Sequence, residues 1–309
     1  MSGPITDQDA SPQRDTCHPD PPEVEITESR SATVGSMTVR RALPRRARRT
    51  VGSWCFVDHM GPVAVTESEG VDVGPHPHIG LQTVTWLLAG EILHRDSLGS
   101  EQIIRPGQMN LMTAGAGVVH AEEHTRKYRG DLHGLQLWVA QPEGTRNGAA
   151  AFEHHGELPG VELGVADATV LVGEFHGAKS PARRDTDHVG VQLEFNSEGN
   201  VDVPMDPTFE YALVVMDGSV SVEGSTIVPG KLAYLGEGRD ECRLSSSEPS
   251  RVLLIGGVPF EDPIIMWWNF VARTKAELSE AQRAWMSGDS RFGSVDSRLS
   301  RIPVGEPPF

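Results

Sequence analysis

Residues 74–80 read GPHPHIG, with His76 and His78 two apart around Pro77; residues 114–124 read AGAGVVHAEEH, with His120 and Glu122 at the same spacing. On an extended chain residues i and i+2 point to one side, so each pair offers two ligand atoms to one space. Two such dyads facing one another supply three imidazole nitrogens and one carboxylate oxygen. That donor set suits a divalent first-row metal: imidazole favours Fe, Ni, Cu or Zn, and the carboxylate offsets charge. Four protein ligands on an octahedral ion leave two positions for water, dioxygen or a substrate oxygen. Pro77 cannot donate to a ladder, so the first dyad belongs on an edge, a strand start or a bulge.

Stepping outward, the residues that must position these dyads form strands. From about Gly35 the chain runs in short apolar stretches punctuated by Gly and Pro: TVTWLLAGEILH, QIIRPGQMNLMTAG, GVVHAEEH and LHGLQLWVAQP. Alternation puts Val84, Trp86 and Leu88 on one face, and AGE supplies a turn before ILH, predicting antiparallel strands in an all-β sandwich or barrel. A second set begins near His188 with HVGVQLEF, FEYALVVMDGSVSVEG, STIVPGKLAYLG and SRVLLIGGVPF. LLAGEIL matches VVMDGSV, and IIRPGQMNLMTAG matches TIVPGKLAYLGEG, which indicates a degenerate internal repeat. Asp217-Gly218 predicts a tight hairpin. TKAELSEAQRAWMSG predicts a helix with Thr274 as N-cap, Glu277 completing a capping box and Gly288 past its end; Leu278 and Trp285 share a face.

Composition fits this class. The 309 residues carry 33 Gly and 22 Pro, with 38% hydrophobic and 6% aromatic residues, which suits many short strands in two domains. With 27 basic and 43 acidic residues the net charge is -16, which repels a phosphate backbone. No direct nucleic-acid partner is expected. RRALPRRARR, residues 40–49, is read as solvated and ion-paired with the acidic remainder. Cys17, Cys55 and Cys242 are scattered, with no CxxC, which points to a reducing cytoplasmic setting. The first thirty residues lack a basic start and apolar run, and no stretch approaches the ~18 apolar residues of a membrane span.

Gly74, His76, His78 and AGAGVVH resemble the two short motifs of the cupin superfamily. More narrowly, DHMGP (58–62), HPHIGLQTVTWLLAGEILHRDSLG, MTAGAGVVHAEEH and GLQLWV, in that order, closely resemble pirin, a bicupin family; the likeness runs from about Gly35 to Gly288. The resemblance implies two tandem cupin barrels with a short C-terminal helix, iron in the first barrel and no metal in the second. His76, His78, His120 and Glu122 fall on the family's ligand positions. The second repeat offers no HxH, and its GRDECRLSS has no His-x-Glu. Gln82 stands where many cupins carry a ligand Glu and is a candidate only for hydrogen bonding around the site. His94 and His124 are candidates to line the pocket or orient a ligand; His133, His154, His155, His176 and His188 are assigned structural roles.

The expected organisation is a disordered tail (1–34), an N-terminal metal-binding cupin domain (35–150), a connection (151–184) and a C-terminal metal-free cupin domain with the helix (185–309). By analogy with the family, the expected function is an Fe(II)-dependent quercetin 2,3-dioxygenase-like oxygenase, with Mn, Ni, Cu or Zn as alternative metals. Its partners would be a flavonol-like aromatic substrate and O2, with no membrane. Glu122 is the candidate base for the substrate hydroxyl as well as a ligand, although coordination lowers its basicity. The alternative from another class is an iron-containing, redox-responsive regulator that binds a protein partner without turnover.

Overall fold

The alternation in Leu81–Ala89 places Val84 and Trp86 in a buried apolar layer with Leu88 packed against it. That layer lies between two barrels. The computed structural model describes residues 22–66 and 70–309. Its first twelve strands are β1 (Glu25–Glu28), β2 (Arg30–Val34), β3 (Met37–Leu43), β4 (Trp54–Val65), β5 (Val73–His78), β6 (Leu81–Ala89), β7 (Ile92–Asp96), β8 (Glu101–Ile104), β9 (Met109–Thr113), β10 (Val118–Glu123), β11 (Gly130–Ala140) and β12 (Ala151–His155). Then follow β13 (Gly160–Leu163), β14 (Ala166–Val172), β15 (Glu174–Phe175), β16 (Ala178–Lys179), β17 (His188–Phe195), β18 (Gly199–Pro204), β19 (Glu210–Asp217), β20 (Val220–Val222), β21 (Ser225–Ile227), β22 (Lys231–Gly236), β23 (Glu241–Ser246) and β24 (Ser250–Gly257). The hairpin β25 (Ile265–Trp267) and β26 (Phe270–Ala272) precedes helix α1 (Lys275–Ser287).

The N-terminal barrel pairs a seven-stranded sheet, β12-β9-β6-β11-β4-β3-β2, with a four-stranded one, β5-β10-β7-β8. The C-terminal barrel pairs β1-β22-β19-β24-β17-β14-β13 with β18-β23-β20-β21. The two orders superimpose strand for strand, as the internal repeat implied. The fold is thus all-β but for α1 and a short 3₁₀ turn. The large sheets pack back to back, with Leu135, Leu137 and Val139 against Ala212, Val214 and Leu253. Trp54 anchors this interface: its indole N–H donates to Val189 O (3.0 Å) and Gly256 O (3.2 Å), which satisfies its polar edge while the ring buries apolar area.

Several expectations change in three dimensions. Asp217-Gly218 does not close a hairpin, because β19 already has β22 and β24 on its two edges. The chain therefore turns through Gly218 (φ 67°) onto the other sheet of the barrel, and Gly90 (φ 93°) does the same between β6 and β7. Within the expected disordered tail, residues 1–21 lie outside the described residues, whereas β1 and β2 are ordered strands in different barrels. Edges at β22 and β3 provide the backbone partners that a polar segment alone lacks.

Helix α1 forms as expected. Thr274 Oγ1 accepts from Glu277 N (3.2 Å), and Gly288 closes the C-terminus at φ 73°. Glu277 reaches back one residue further than a standard capping box, accepting from Arg273 N at 2.8 Å. Leu278 and Trp285 are buried on one face against Ile79, Val119 and Phe270. Sequence order attached this helix to the second barrel; in space it covers the first. The arginine-rich segment is ion-paired in part, Arg41 with Asp58 (2.6 Å) and Arg48 with Glu25 (2.9 Å).

Candidate metal centre

Strand β5 is the outer strand of its four-stranded sheet, the edge position that Pro77 requires. The C-terminal segment runs alongside it, with Ile302 N donating to Pro75 O (2.9 Å). Strand β10 pairs with β5 so that His120 sits opposite His76 and Val118 opposite His78. The two dyads are therefore neighbours on one sheet rather than residues facing each other across the barrel. One ligand nitrogen from each of His76, His78 and His120 lies within 4.8 Å of the others, all three residues being buried.

Hydrogen bonds orient these rings. His76 Nδ1 donates to Gly74 O (2.9 Å) and His78 Nδ1 to Asn269 O (2.9 Å), which leaves their Nε2 lone pairs for a cation. His78 Nε2 and His120 Nε2 are 3.0 Å apart. Burial disfavours the imidazolium, so His76 is held down at about 4, and burial with the neighbouring rings holds His78 and His120 well below the usual range. Neutral, buried, pre-oriented imidazoles with converging lone pairs fit a divalent metal, and this is a three-histidine metal site.

Glu122 lies outside that tight cluster but lines the same cavity. Loss of solvent pushes its carboxyl up to about 7. A β-bulge between His120 and Glu122 shifts the register with β5, so that Glu122 lies opposite Val73.

Of the other candidates, only His94 touches a ligand. Its Nδ1 is 3.4 Å from His120 Nδ1, and its Nε2 is 3.0 Å from Asp96 Oδ2. The tautomers that satisfy both contacts run His120 N–H to His94 and His94 N–H to Asp96. Such outer partners set ligand orientation, so His94→Ala is expected to weaken metal affinity about 10- to 100-fold, read by competition with a chelator of known affinity. Unchanged affinity would remove His94 from the site. His124 turns away to Tyr128 O (3.2 Å). Gln82 shares the face of Val84 and donates to Thr113 Oγ1 (3.0 Å), remote from the imidazoles.

The cavity has a volume of about 440 Å³, within the range of small-molecule sites. Its facing wall comes from the large sheet: Phe56, Asp58, Gln136 and Trp138. Phe56 and Trp138 stack at 4.0 Å and 13°, and Trp138 meets His78 edge-on at 5.2 Å. Arg30 and Thr33 from β2 and Met266 to Asn269 from the β25-β26 hairpin complete the lining. Trp268 holds a positive φ (52°) at that turn, an uncommon conformation for a bulky side chain. Sequence reading missed this wall and lining. Alternation in WCFVDHM could have grouped Phe56, Asp58 and Met60, but nothing in sequence marks the Asn269 carbonyl.

In the second barrel the strands equivalent to β5 and β10 are β18 and β23. They carry Val201, Val203, Cys242 and Leu244 in a closed apolar core.

Comparison with known proteins agrees with this architecture. Residues 36–139 match the pirin domain and residues 190–293 the pirin C-terminal cupin domain. A Pseudomonas aeruginosa protein named "Putative quercetin 2,3-dioxygenase PA1205" is 46% identical over 281 residues, covering 89% of each chain. A "Pirin-like protein" of Caulobacter vibrioides is 36% identical over 88% of this chain and 96% of its own. The crystal structure of quercetin 2,3-dioxygenase from Acinetobacter baumannii superimposes with a TM-score of 0.90 at 44% identity, over 92% of this chain and 96% of that one. Two repeats with the same strand order, a three-histidine centre in the first and an apolar core in the second place this chain in the pirin family.

Proposed function

We propose that this pirin-family protein is a metal-dependent dioxygenase of the quercetin 2,3-dioxygenase type, using Fe(II) held by His76, His78 and His120 with Glu122 as fourth ligand. The observation that carries the reading is the convergence of three buried, neutral imidazoles on a 440 Å³ cavity with an aromatic wall. The names of the similar bacterial proteins support the substrate class. A divalent metal there supplies Lewis acidity and a template that brings a flavonol oxygen and O2 together.

The chain's own residues do the remainder. Phe56 and Trp138, stacked on each other, give the cavity an aromatic wall against which a planar ring system would pack, and Trp267 and Trp268 add to its aromatic lining. Glu122, which lines the cavity beside the histidines, would accept the proton of the substrate 3-hydroxyl. His94 and Asp96 hold His120 in the tautomer that keeps Nε2 free. Ring opening with loss of carbon monoxide then consumes one O2 per flavonol.

The test is oxygen uptake and carbon monoxide release by iron-loaded protein with quercetin, against His120→Ala and against nickel-loaded protein. Uptake by the wild type alone supports the reading, and the more active metal identifies the cofactor. No uptake across a panel of flavonols and small enols would move the assignment to a regulator that binds a protein partner.

A further inference from the structure

Arg41, Asp58, Gln136 and Thr85 lie in register across four neighbouring strands of the sheet that faces the imidazoles. A polar row inside a barrel is costly unless each group finds a partner. Arg41 Nε and Nη2 donate to the two Asp58 oxygens at 2.7 and 2.6 Å, and Thr85 Oγ1 donates to Gln136 Oε1 at 3.0 Å. These bonds fix both side chains. They leave donors and acceptors over: the Gln136 Nε2 amide group has no protein partner among the described residues, and each Asp58 oxygen keeps a second lone pair.

Asp58 and Gln136 are direct cross-strand neighbours, and both line the cavity. A donor beside a carboxylate acceptor matches a hydroxyl group, which accepts one hydrogen bond and gives another. Aromatic surface adjoins the pair, since Arg41 lies over the Phe56 ring at 4.4 Å and Phe56 stacks on Trp138. Arg41 spends its charge on Asp58, so the wall reads a neutral hydroxyl rather than an anion.

We propose that Asp58 and Gln136 form a hydroxyl-reading pair opposite the metal centre, selecting planar aromatic ligands that carry a phenolic hydroxyl besides the oxygens that meet the metal. The inference rests on the flavonol reading above and specifies which flavonols fit. Asp58 accepts from the phenol, and Gln136 Nε2 donates to its oxygen.

The test is anaerobic binding to metal-loaded protein, followed by the absorbance shift of the ligand, with quercetin and with 3-hydroxyflavone, which lacks the additional hydroxyls. Wild type is expected to bind quercetin about tenfold more tightly than 3-hydroxyflavone, the scale of one or two net hydrogen bonds. Gln136→Met should reduce that preference about fivefold and leave 3-hydroxyflavone affinity unchanged. Gln136→Glu, which keeps an acceptor for Thr85 and removes the amide donor, should do the same if the methionine variant folds poorly. An equal loss for both ligands, or an unchanged preference in a folded variant, overturns the pair. Failure of wild type to bind either flavonol overturns the flavonol reading and this inference together.

Discussion

His120→Ala is expected to leave a folded protein that no longer retains metal through gel filtration and consumes no oxygen with quercetin above background. His120 is the central member of the cluster, 3.0 Å from His78 Nε2, with its ring 4.3 Å from His76 and its Nδ1 on His94. Removing it leaves two imidazoles, and the affinity loss should exceed the ~10–100-fold that an outer partner costs. The fold should persist because the surrounding strands are held by backbone ladders on both sides of β10 and because a crowded set of neutral imidazoles is relieved, not disrupted. Metal content by elemental analysis, with thermal unfolding as the control for folding, checks this. Equimolar metal in the variant would sink the three-histidine assignment.

Acid is expected to destabilise the metal-free protein steeply between pH 6.5 and about 4. Burial holds His76 and His188 at about 4 and His59 at about 3, with His78 and His120 also well below the ordinary 6.5. Below 6.5 the unfolded chain takes up protons that the folded chain refuses, so unfolding is favoured as pH falls, until the folded-state values are reached. At pH 5 each of His59, His76 and His188 costs about 2 kcal/mol. Glu122 acts in the opposite direction. Its folded value of about 7 exceeds the ordinary 4.5, so between those values the folded chain keeps a proton that the unfolded chain releases, a gain of about 3 kcal/mol at pH 5.

The three rings held at about 3 to 4 outweigh the one carboxyl by roughly 3 kcal/mol at pH 5, and His78 and His120 act in the same direction as those rings. Urea midpoints of chelator-treated protein at pH 7 and pH 5 measure it. Midpoints equal within error would mean that these rings are solvated. Metal-loaded protein should resist acid further, because the ion competes with protons for the same lone pairs, until the ion is displaced.

The candidate ligands were legible because strand geometry is local. Two residues apart on an extended chain share a face whatever the rest of the protein does, so HxH and HxE announced themselves, and so did the repeat of turns and apolar runs. The same locality misled at Asp217-Gly218 and at Ala89-Gly90-Glu91. A glycine turn specifies a change of direction, but whether the next strand pairs with its predecessor depends on which edges other strands have already taken. The tail misread has the same root: residues 25–34 are poor strand formers alone and become strands where β22 and β3 offer unpaired backbone.

By itself the sequence determined the all-β repeat, the capped helix and the three imidazoles, since each follows from spacing along a few residues. Only the tertiary structure decided that the dyads sit side by side on one sheet, that His94 rather than His124 or Gln82 supports them, and that β2 and the β25-β26 hairpin join the cavity lining. Those outcomes depend on contacts between segments as far apart as His78 and Asn269, where a backbone carbonyl with no side-chain signature orients a ligand. Spacing along a chain cannot encode such a contact; burial and hydrogen bonding across the folded barrel can.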